Sequence, residues 1–337
     1  MNAALLKPYR HKTLLITGAS GYLATSLFEK LKNTAAHIKR LSRSPLEPAA
    51  GASARVSEIT GDMRERAIWD RAIDGCDFVF HFAAQTSVYV AQKDPSADLQ
   101  ANLLPMQNLL EACRSADRTP FILFAGSATE LGLAARLPAG EDLPDAPLTI
   151  YDLHKLLAEQ YLESYCRQGL ARGAALRLCN VYGPGPRSAS PDRGILNMMI
   201  RRALKGESIR IYGQGSQIRD YIFIDDALAA FLAAGACAKK TNGRHFVLGS
   251  GRGASLAKAF SLIAERVFAK TKRRVEVEHV PPPEGLSPIE NRDFIADIRA
   301  FRKAAGFKPR HTLKDGIDRT IISCLNEASH ETLHHSR

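Results

Sequence analysis

The sequence has little of several features that mark specialised classes of protein. Its 337 residues include one tryptophan, and its six cysteines form no Cys-x-x-Cys pair. The longest apolar run, from Ala227 to Ala238, is too short to cross a bilayer, so we expect a buried helix there and no membrane partner. Met1 to Lys12 contain no apolar core of the length that a secretory signal needs. Scattered, unpaired cysteines are typical of a reducing compartment, so we predict a cytoplasmic protein without a structural metal site.

Acidic residues are the minority charge, since 46 Lys and Arg stand against 35 Asp and Glu and give a net charge of +11. Such a charge can attract a polyanion, or it can keep the protein soluble and draw in small phosphorylated ligands. The one dense basic cluster runs from Lys270 to Arg274 at the end of a predicted helix, where cations complement the helix dipole. No aromatic residues interleave with it, so we expect no nucleic-acid partner.

Short β-branched or aromatic segments alternate with longer helical patterns through the first half of the chain. The predicted strands are Leu14–Thr17, Ile38–Leu41, Val56–Thr60, Phe78–Phe82, Phe121–Phe124 and Ala174–Leu178, and the predicted helices are Tyr22–Lys32, Arg64–Ile73, Ser96–Ser115 and Thr149–Gln168. Alternation of this kind indicates a parallel sheet that is covered by helices on both faces. The fold class predicted for this half is therefore α/β, with a doubly wound parallel sheet.

The pattern changes after Gly183-Pro184-Gly185-Pro186, which we interpret as the exit from the sheet. The later elements are mixed: helices at Ile195–Leu204, Asp225–Ala238 and Ser255–Ala269, and strands at Ile209–Tyr212 and His245–Leu248. We therefore predict a first domain over residues 1–180, to which the chain returns at about 220–249. A smaller, mixed α/β lobe over 181–337 is expected mainly to bind substrate. The polar tail from Asn326 to Arg337 is expected to be loose, and its histidines (330, 334 and 335) to be part of a frayed terminus.

A glycine-containing loop joins the first predicted strand to the first helix, with the sequence Thr17-Gly18-Ala19-Ser20-Gly21-Tyr22-Leu23-Ala24. Gly18 and Gly21 allow the backbone to turn tightly and to approach a pyrophosphate, and Ala24 is small enough for close packing of helix on strand. The N–H groups at the start of the helix would then point at the phosphates. This placement between strand and helix predicts that residues 1–180 form a Rossmann domain that binds a dinucleotide.

The end of the second predicted strand decides which dinucleotide is expected. The segment Lys39-Arg40-Leu41-Ser42-Arg43-Ser44 has no acid for the adenosine ribose, whereas Arg43 suits a 2′-phosphate. The cofactor is therefore expected to be NAD or NADP, and Arg43 favours NADP unless it merely lies on the surface. After the third strand, Asp62 and Met63 are placed to contact the adenine ring, and Asp62 can also cap the next helix.

Tyr151 and Lys155 lie one helical turn apart, so their side chains leave the same face of the helix. A cationic Lys lowers the pKa of a neighbouring Tyr hydroxyl and makes it a usable base. Proton removal from a substrate hydroxyl can then accompany hydride transfer to a nicotinamide. Ser127, at the end of the Phe121–Phe124 strand segment, can present its hydroxyl to the same substrate. A Tyr-x-x-x-Lys pair also occurs by chance on surface helices, and the nearby Ser127 makes that explanation weaker.

Together these motifs resemble the extended short-chain dehydrogenase/reductase family and, within it, the NAD(P)-dependent nucleotide-sugar epimerase/dehydratase group. The resemblance covers about Thr13 to Gly316. The matching segments are Thr17–Ala24, Gly61-Asp62, His81–Gln85, Asn102, Ser127–Thr129, Tyr151 with Lys155, Leu176–Gly185, Tyr212-Gly213, Arg219–Ile222 and Asp225-Asp226. A chance match would not be expected to reproduce so many of the family's motifs in the same order.

The resemblance implies a role for each of the matching positions. Ser127, Tyr151 and Lys155 would be the catalytic triad. The cofactor would be bound by Gly18, Gly21, Tyr22, Leu23, Arg43, Asp62, Met63, Ala83, Ala84, Gln85, Asn102 and Lys155. A nucleotide-diphosphate sugar would be bound by Thr129, Asn180, Asn197, Tyr212, Arg219 and Arg292, since the planar fork of Arg pairs well with phosphate oxygens. A homodimer is expected, with the helices Ser96–Ser115 and Thr149–Gln168 as candidates for its interface.

Departures from the family pattern narrow the expected chemistry. Dehydratases of the group carry an Asp-Glu pair after the Ser or Thr, and here Ala128-Thr129 replaces it. Ser-Ala-Thr is similar to the 4-epimerases, so an epimerase acting through a keto-sugar is the first hypothesis. An NADPH-dependent nucleotide keto-sugar reductase and a non-catalytic NADP(H)-binding regulator are the alternatives, and retention of the triad disfavours the regulator. Glu130 can enter the pocket, but we expect it to be a solvated turn residue.

Overall fold

The computed structural model describes residues 3–185 and 194–334, with the side chains of residues 4–185 and 194–327. Pro186, at the predicted exit from the sheet, and residues 335–337 lie outside the described residues. The strands are β1 (Thr13–Thr17), β2 (His37–Ser42), β3 (Arg55–Thr60), β4 (Phe78–His81), β5 (Phe121–Ser127), β6 (Arg172–Leu178), β7 (Asn180–Tyr182), β8 (Ile209–Tyr212), β9 (Ile218–Phe223), β10 (Arg244–Leu248), β11 (Gly253–Ser255) and β12 (Val277–Val280).

Helices separate most of these strands. They are α1 (Ala3–Leu6), α2 (Tyr22–Leu31), α3 (Arg66–Ile73), α4 (Val88–Lys93), α5 (Pro95–Asn102), α6 (Leu104–Ser115), α7 (Ile150–Arg167), α8 (Ile195–Lys205), α9 (Ile224–Ala236), α10 (Ala238–Thr241), α11 (Leu256–Thr271), α12 (Arg299–Ala305) and α13 (Leu313–His334). Short 3₁₀ turns lie at Lys7–Tyr9, Ala128–Leu131 and Pro288–Asn291. None of the helices within the described ranges is both long and apolar enough to span a membrane.

Seven strands form one parallel sheet in the order β10-β6-β5-β4-β1-β2-β3. The central strand β1 has Leu14, Leu15 and Ile16 fully buried, because helices cover both faces of the sheet. The strand order reverses beside β1, since the chain crosses from β3 at one edge to β4 on the other side of β1. Such a reversal opens a crevice at the carboxyl ends of the strands, where ligands bind. The predicted doubly wound α/β fold is confirmed.

Two hydrophobic clusters cover the two faces of this sheet. One contains Trp69, Leu109 and Leu162 from α3, α6 and α7. The other contains Leu27 and Phe231 from α2 and α9, and it continues without interruption into α8, α11 and α13. The second half of the chain also forms two smaller sheets, β11-β9-β7 and β12-β8. The first of these sheets contributes Asn180 and Asp220 to the lining of the pocket described below.

The predicted single helix Ser96–Ser115 is wrong, because the chain forms α5 and α6 with a break at Leu103. Pro105 lies in the first turn of α6, where a residue without an N–H is tolerated. In the interior of one continuous helix, the same proline would remove a backbone hydrogen bond and clash with the preceding turn. The helical periodicity of the apolar residues continues through the break and hides it.

The prediction of a loose tail from Asn326 is also wrong as far as His334, where α13 ends. This helix is anchored at its start by Thr312, whose hydroxyl donates to the Asp315 carboxylate at 2.6 Å, and by the buried residues Ile317 and Ile321. Once a helix has been nucleated, each further residue adds a hydrogen bond at little entropic cost. A polar segment can therefore continue it.

Candidate active site

Ser127, Tyr151 and Lys155 come from two elements at the carboxyl edge of the large sheet. Ser127 is the last residue of β5. The first turn of α7 is fixed by a capping box: the Asp152 N–H donates to the Thr149 hydroxyl at 3.2 Å, and the Thr149 N–H donates to the Asp152 carboxylate at 3.0 Å. Tyr151 lies in this turn, and Lys155 follows one turn later.

Ser127 and Tyr151 line the same pocket, which has a volume of about 180 Å³. Thr129, Asn180 and Arg292, three members of the predicted substrate set, line it too. The hydroxyl oxygens of Ser127 and Thr129 lie 2.7 Å apart and share a hydrogen bond. The pocket thus places a hydroxyl pair and a phenol on one side and an Arg on the other.

Lys155 is buried below the pocket, with its ammonium nitrogen 4.0 Å from the centre of the Phe124 ring. Burial lowers the pKa of Lys155 to about 8, while the carboxylates of Glu130, Glu159 and Asp98 oppose this shift. An ammonium near its pKa, one turn from Tyr151, is the arrangement that stabilises a phenolate.

The ends of β1 and β4 are joined at the bottom of the crevice. Thr17 Oγ1 lies 2.9 Å from His81 Nδ1 and accepts the N–H groups of Phe82 and Ala83 at 3.1 and 3.2 Å. Burial lowers the pKa of His81 to about 3, so its imidazole is neutral. These bonds hold Ala83, a predicted cofactor residue, directly opposite the glycine loop.

The loop after β1 is shaped as a cradle for a dinucleotide. Gly18 has a φ of 63°, and a Cβ added to it would lie 2.8 Å from Ala83 Cα. The Gly21 N–H donates to the Gly18 carbonyl at 2.7 Å, and α2 begins directly after Gly21. The free N–H groups of the first turn of α2 therefore point into the crevice, as a pyrophosphate requires. Only glycine at position 18 lets this loop pack so closely on the Ala83 backbone, and a Gly-rich turn before a helix fits the predicted cofactor.

Tyr22 and Leu23, the first residues of α2, turn their side chains away from this cradle. The Tyr22 hydroxyl donates to the Gly183 carbonyl at 2.9 Å, and Leu23 packs on the hydrophobic core. Their side chains are thus used for packing between the two halves of the chain. If Tyr22 and Leu23 contact the cofactor as predicted, they would do so through their backbone N–H groups.

The predicted adenosine end contains Arg43, which is exposed beyond the end of β2. The Asp62 carboxylate accepts the Arg64 N–H at 2.9 Å and pairs with the Arg64 guanidinium, which lowers the pKa of Asp62. Met63 is buried, and its carbonyl accepts the Trp69 indole N–H at 2.7 Å. Asp62 therefore closes a turn two residues before α3, and its predicted role as the cap of that helix is wrong, because α3 begins at Arg66 after Glu65.

Gln85 and Asn102 belong to a buried polar network around Asp98. The Asp98 carboxylate accepts from Gln85 Nε2 at 2.6 Å and from Asn102 Nδ2 at 3.0 Å, and it lies 2.7 Å from His154 Nδ1. Ala84 follows Ala83 in the loop between β4 and this network. Asn102 Oδ1 is buried without a hydrogen-bond partner within the described part of the chain, so it is an acceptor that a ligand can use. Asp98 and His154 are two site residues that the sequence analysis did not predict. The sequence signal for them is their helical spacing, since Asp98 lies four residues before Asn102 and His154 lies three residues after Tyr151.

Arg292 lines the pocket, whereas Arg219 lies against the backbone of residues 290–292 and is not one of the lining residues. Arg219 is buried, and its guanidinium donates to the carbonyls of Glu290, at 2.7 Å, and of Arg292. Arg292 itself lines the pocket and donates to the Ile289 carbonyl at 2.9 Å. Arg219 thus supports the turn that carries Arg292, so the two cations depend on each other for their position.

Asn197 and Tyr212 are not among the residues that line this pocket. Asn197 Oδ1 accepts the Gly183 N–H at 3.0 Å, and Tyr212 is 49% exposed at the end of β8. Both lie on the lobe that follows the exit from the sheet. Their predicted contact with a substrate would require a ligand that extends beyond the pocket.

The expectation that Glu130 is a solvated turn residue is wrong, because its side chain is 0% exposed. Its carboxylate accepts the Ser127 N–H at 2.6 Å and lies 3.1 Å from Arg177 Nε. The sequence contains the signal that was missed: Ser-x-x-Glu is the pattern of a capping box, which turns the Glu back toward the first residue.

Comparison with known proteins gives a consistent set of relatives. The sequence model of the NAD dependent epimerase/dehydratase family matches residues 14–249. The chain is 28% identical to UDP-glucose 4-epimerase of Mycolicibacterium smegmatis, over 93% of this chain and 99% of that protein. It is 28% identical to UDP-glucuronate 4-epimerase 3 of Arabidopsis thaliana, over 94% of this chain and 77% of that protein.

A related enzyme of known structure has the same fold and was solved with its cofactor bound. The UDP-glucose 4-epimerase of Thermus thermophilus in complex with NAD superposes with a TM-score of 0.78 and 25% identity, over 92% of this chain and 98% of that one. The predicted family resemblance and enzyme class are confirmed, and the epimerase hypothesis is supported. With the family model covering more than half of its length, this chain belongs to the NAD dependent epimerase/dehydratase family.

Proposed function

We propose that this protein is an NAD(P)-dependent nucleotide-sugar 4-epimerase. The observation that carries the proposal is the convergence of Ser127 and Tyr151 on one pocket, above a buried Lys155 whose pKa is lowered to about 8. The first relatives are named as 4-epimerases of UDP-sugars, which supports a nucleotide-diphosphate sugar as the substrate. Arg292 in the pocket wall is suited to its phosphates.

The chemistry follows from the positions of these groups. Tyr151 removes the proton of a ring hydroxyl, and the Lys155 ammonium stabilises the phenolate. Ser127, bonded to Thr129, donates to the oxygen that becomes a ketone. Gly18 and the start of α2 would hold NAD(P), which when bound would supply a reversible hydride acceptor for the oxidation and re-reduction of that carbon. Tyr151 then returns the proton.

The decisive experiment uses protein as purified, with no added cofactor. Mass spectrometry and NMR would screen UDP-, dTDP-, GDP- and CDP-sugars for inversion at a ring carbon. Turnover without net change in nicotinamide absorbance supports epimerisation, and Tyr151→Phe should lose activity by a factor of about 10² to 10⁴. Full activity in Tyr151→Phe would rule out the assigned base.

A nucleotide keto-sugar reductase is the second candidate, because one observation favours a released NADPH cofactor. Arg43 is exposed beyond β2, and the segment Lys39–Ser44 carries no acid that would repel a 2′-phosphate. A charge-assisted bond from Arg43 is worth about 1.5–3 kcal/mol, so Arg43→Ala should weaken NADP(H) binding by about tenfold or more and leave NAD(H) binding unchanged. Identification of the dinucleotide released on denaturation, with Arg71→Ala, an exposed Arg on α3, as the matched surface control, tests this preference. Equal loss for both dinucleotides would contradict it.

We further propose that the protein is a cytoplasmic homodimer. Its six cysteines are all free, as a reducing compartment favours. Leu99, Leu153 and Tyr161, on α5 and α7, are 41%, 39% and 39% exposed and leave apolar area on the two helix segments predicted for the interface. We propose that residues 1–180 form the domain that binds the cofactor and that residues 181–337 mainly bind the substrate. Nucleic acids and membranes are not proposed as partners.

A further inference from the structure

Three carboxylates surround one buried guanidinium beside the pocket, and the carboxylate of Asp145 is the exposed member of the group. Arg177 on β6 is 1% exposed and lies 2.6 Å from Glu159 Oε1, 2.6 Å from Asp145 Oδ1 and 3.1 Å from Glu130 Oε2. Glu130 and Glu159 are themselves almost fully buried. Burial beside Glu159 raises the pKa of Glu130 well above its ordinary value. Removing one partner of such a group leaves a buried charge uncompensated.

The nearby ionisable groups surround this cluster on its other sides. His245 Nδ1 lies 3.3 Å from Glu159 and 2.7 Å from Glu163, and Lys155 interacts with both Glu130 and Glu159. Glu159, Glu163 and His245 bring three potential metal ligands within 4.8 Å. Arg177, however, already occupies the carboxylate of Glu159 through both Nε and Nη2. The arrangement is therefore that of an ion-pair network.

Glu130 differs from the other carboxylates because it contacts the main chain of Ser127. Its Oε1 accepts the Ser127 N–H at 2.6 Å, and the Thr129 N–H donates to the Ser127 hydroxyl at 3.3 Å. The backbone beside it is closely fitted: a Cβ added to Gly126 would lie 3.2 Å from Glu130 Oε1 and 3.4 Å from Glu159 Oε2. One carboxylate thus ties the end of β5 to the Arg177 cluster.

We propose that Glu130 is a positioning residue, which holds the Ser127 hydroxyl toward the substrate: its Oε1 accepts the Ser127 N–H, while its Oε2 lies 3.1 Å from Arg177 Nε. This inference rests on the proposed function, because Ser127 is the group through which Glu130 acts. Loss of the carboxylate leaves a buried N–H without its acceptor and frees the end of β5 to move. A displacement of about 1 Å in a group that contacts substrate can cost about 10²-fold in rate.

Two substitutions separate the two contacts of Glu130. Glu130→Gln keeps an oxygen for the Ser127 N–H and replaces the carboxyl oxygen that faces Arg177 by an amide, whereas Glu130→Val removes both contacts. We expect kcat to fall about tenfold to hundredfold in Glu130→Val and less in Glu130→Gln, with KM for the sugar nucleotide within about twofold of its starting value. Glu163→Gln is the matched control: this neighbouring carboxylate pairs with His245 and, within the described residues, forms no hydrogen bond or ion pair with Arg177 or Ser127, so kcat should stay within about twofold.

A double-mutant cycle with Ser127→Ala decides how Glu130 acts. If Glu130 works through Ser127, substitution of Glu130 should cause no further loss of kcat in the Ser127→Ala background. An equal fold loss in both backgrounds, or an unchanged kcat in Glu130→Val, would overturn the proposal. Should Glu130→Val fail to fold, the same cycle with Glu130→Gln gives the answer.

Amide hydrogen exchange provides a readout that does not need turnover. Across residues 124–131, Glu130→Val should raise exchange at the Ser127 amide at least about tenfold, since its acceptor is lost, and Glu163→Gln should not. A wild-type protein that turns over none of the sugar nucleotides would refute the proposed function and leave this comparison intact. Unchanged exchange in Glu130→Val would refute the placement of Glu130, whatever the activity.

Discussion

Substitution of Gly18 by Ala tests the cofactor cradle most directly. Gly18 has a φ of 63°, a conformation that costs a residue with a Cβ about 1–2 kcal/mol. The new Cβ would also lie 2.8 Å from Ala83 Cα and 2.9 Å from Ala83 N. These are backbone atoms held by Thr17, so they cannot swing aside as the end of a flexible side chain can. The two loops must separate, and the N–H groups of the cradle move away from the phosphates.

Gly75 is a matched control for this substitution. Its φ is 64°, and a Cβ added there would meet nothing within 4 Å. Gly75→Ala should therefore lower the free energy of unfolding by the same 1–2 kcal/mol or so and leave the cradle untouched. The difference between the two variants isolates the contact with Ala83.

Dinucleotide binding is the appropriate assay, measured by calorimetry on protein freed of cofactor. Each loss of about 1.4 kcal/mol weakens binding tenfold, so displacement of the loop in Gly18→Ala should raise Kd for NAD(H) or NADP(H) at least about tenfold. Gly75→Ala should leave Kd within about twofold. A Gly18→Ala protein that binds either dinucleotide with its original affinity would show that this loop is no phosphate cradle.

Two further predictions follow from the burial of Lys155 and His81, and a third follows from the exposure of Leu153. Because the pKa of Lys155 is lowered to about 8, kcat should fall as pH rises through about 8 and the ammonium is lost, and this decline should disappear in Lys155→Met. The pKa of His81 is lowered to about 3, whereas an unfolded His titrates near 6.5, so the unfolded chain binds a proton first as the pH falls. The free energy of unfolding should therefore fall by about 1.4 kcal/mol per pH unit below 6.5. In His81→Gln this fall should be much smaller. Urea titrations at several pH values measure this. Leu153→Glu should convert a dimer to a monomer in sedimentation, and an unchanged assembly would exclude α7 from the interface.

The parallel sheet and the two motifs could be predicted because each depends on local sequence. Gly18 and Gly21 lie within one strand–loop–helix unit, and Tyr151 and Lys155 lie on one helical face. The break before Pro105 was missed because the helical spacing of the apolar residues continues across it. The helix beyond Asn326 was missed because its residues are mostly polar.

The surroundings of the site depend on contacts between distant segments. Arg177 gathers Glu130, Asp145 and Glu159 from three different parts of the chain. Asp98 meets His154 across 56 residues. No spacing in the sequence gives the partner of a buried charge, and Glu130 was therefore assigned to the surface although its capping-box pattern was visible. Tyr22 likewise has its hydroxyl on Gly183, 161 residues away.

The uninterrupted hydrophobic cluster on one side of the large sheet has a consequence for the integrity of the chain. Leu14 and Leu27 of the cofactor half share this cluster with Ile200, Phe260 and Ile317 from the other half. A fragment ending near residue 180 would present this apolar surface to water and lose much of its cohesion. The proposed cofactor and substrate halves are therefore expected to melt as one body, because neither half alone can bury this shared surface.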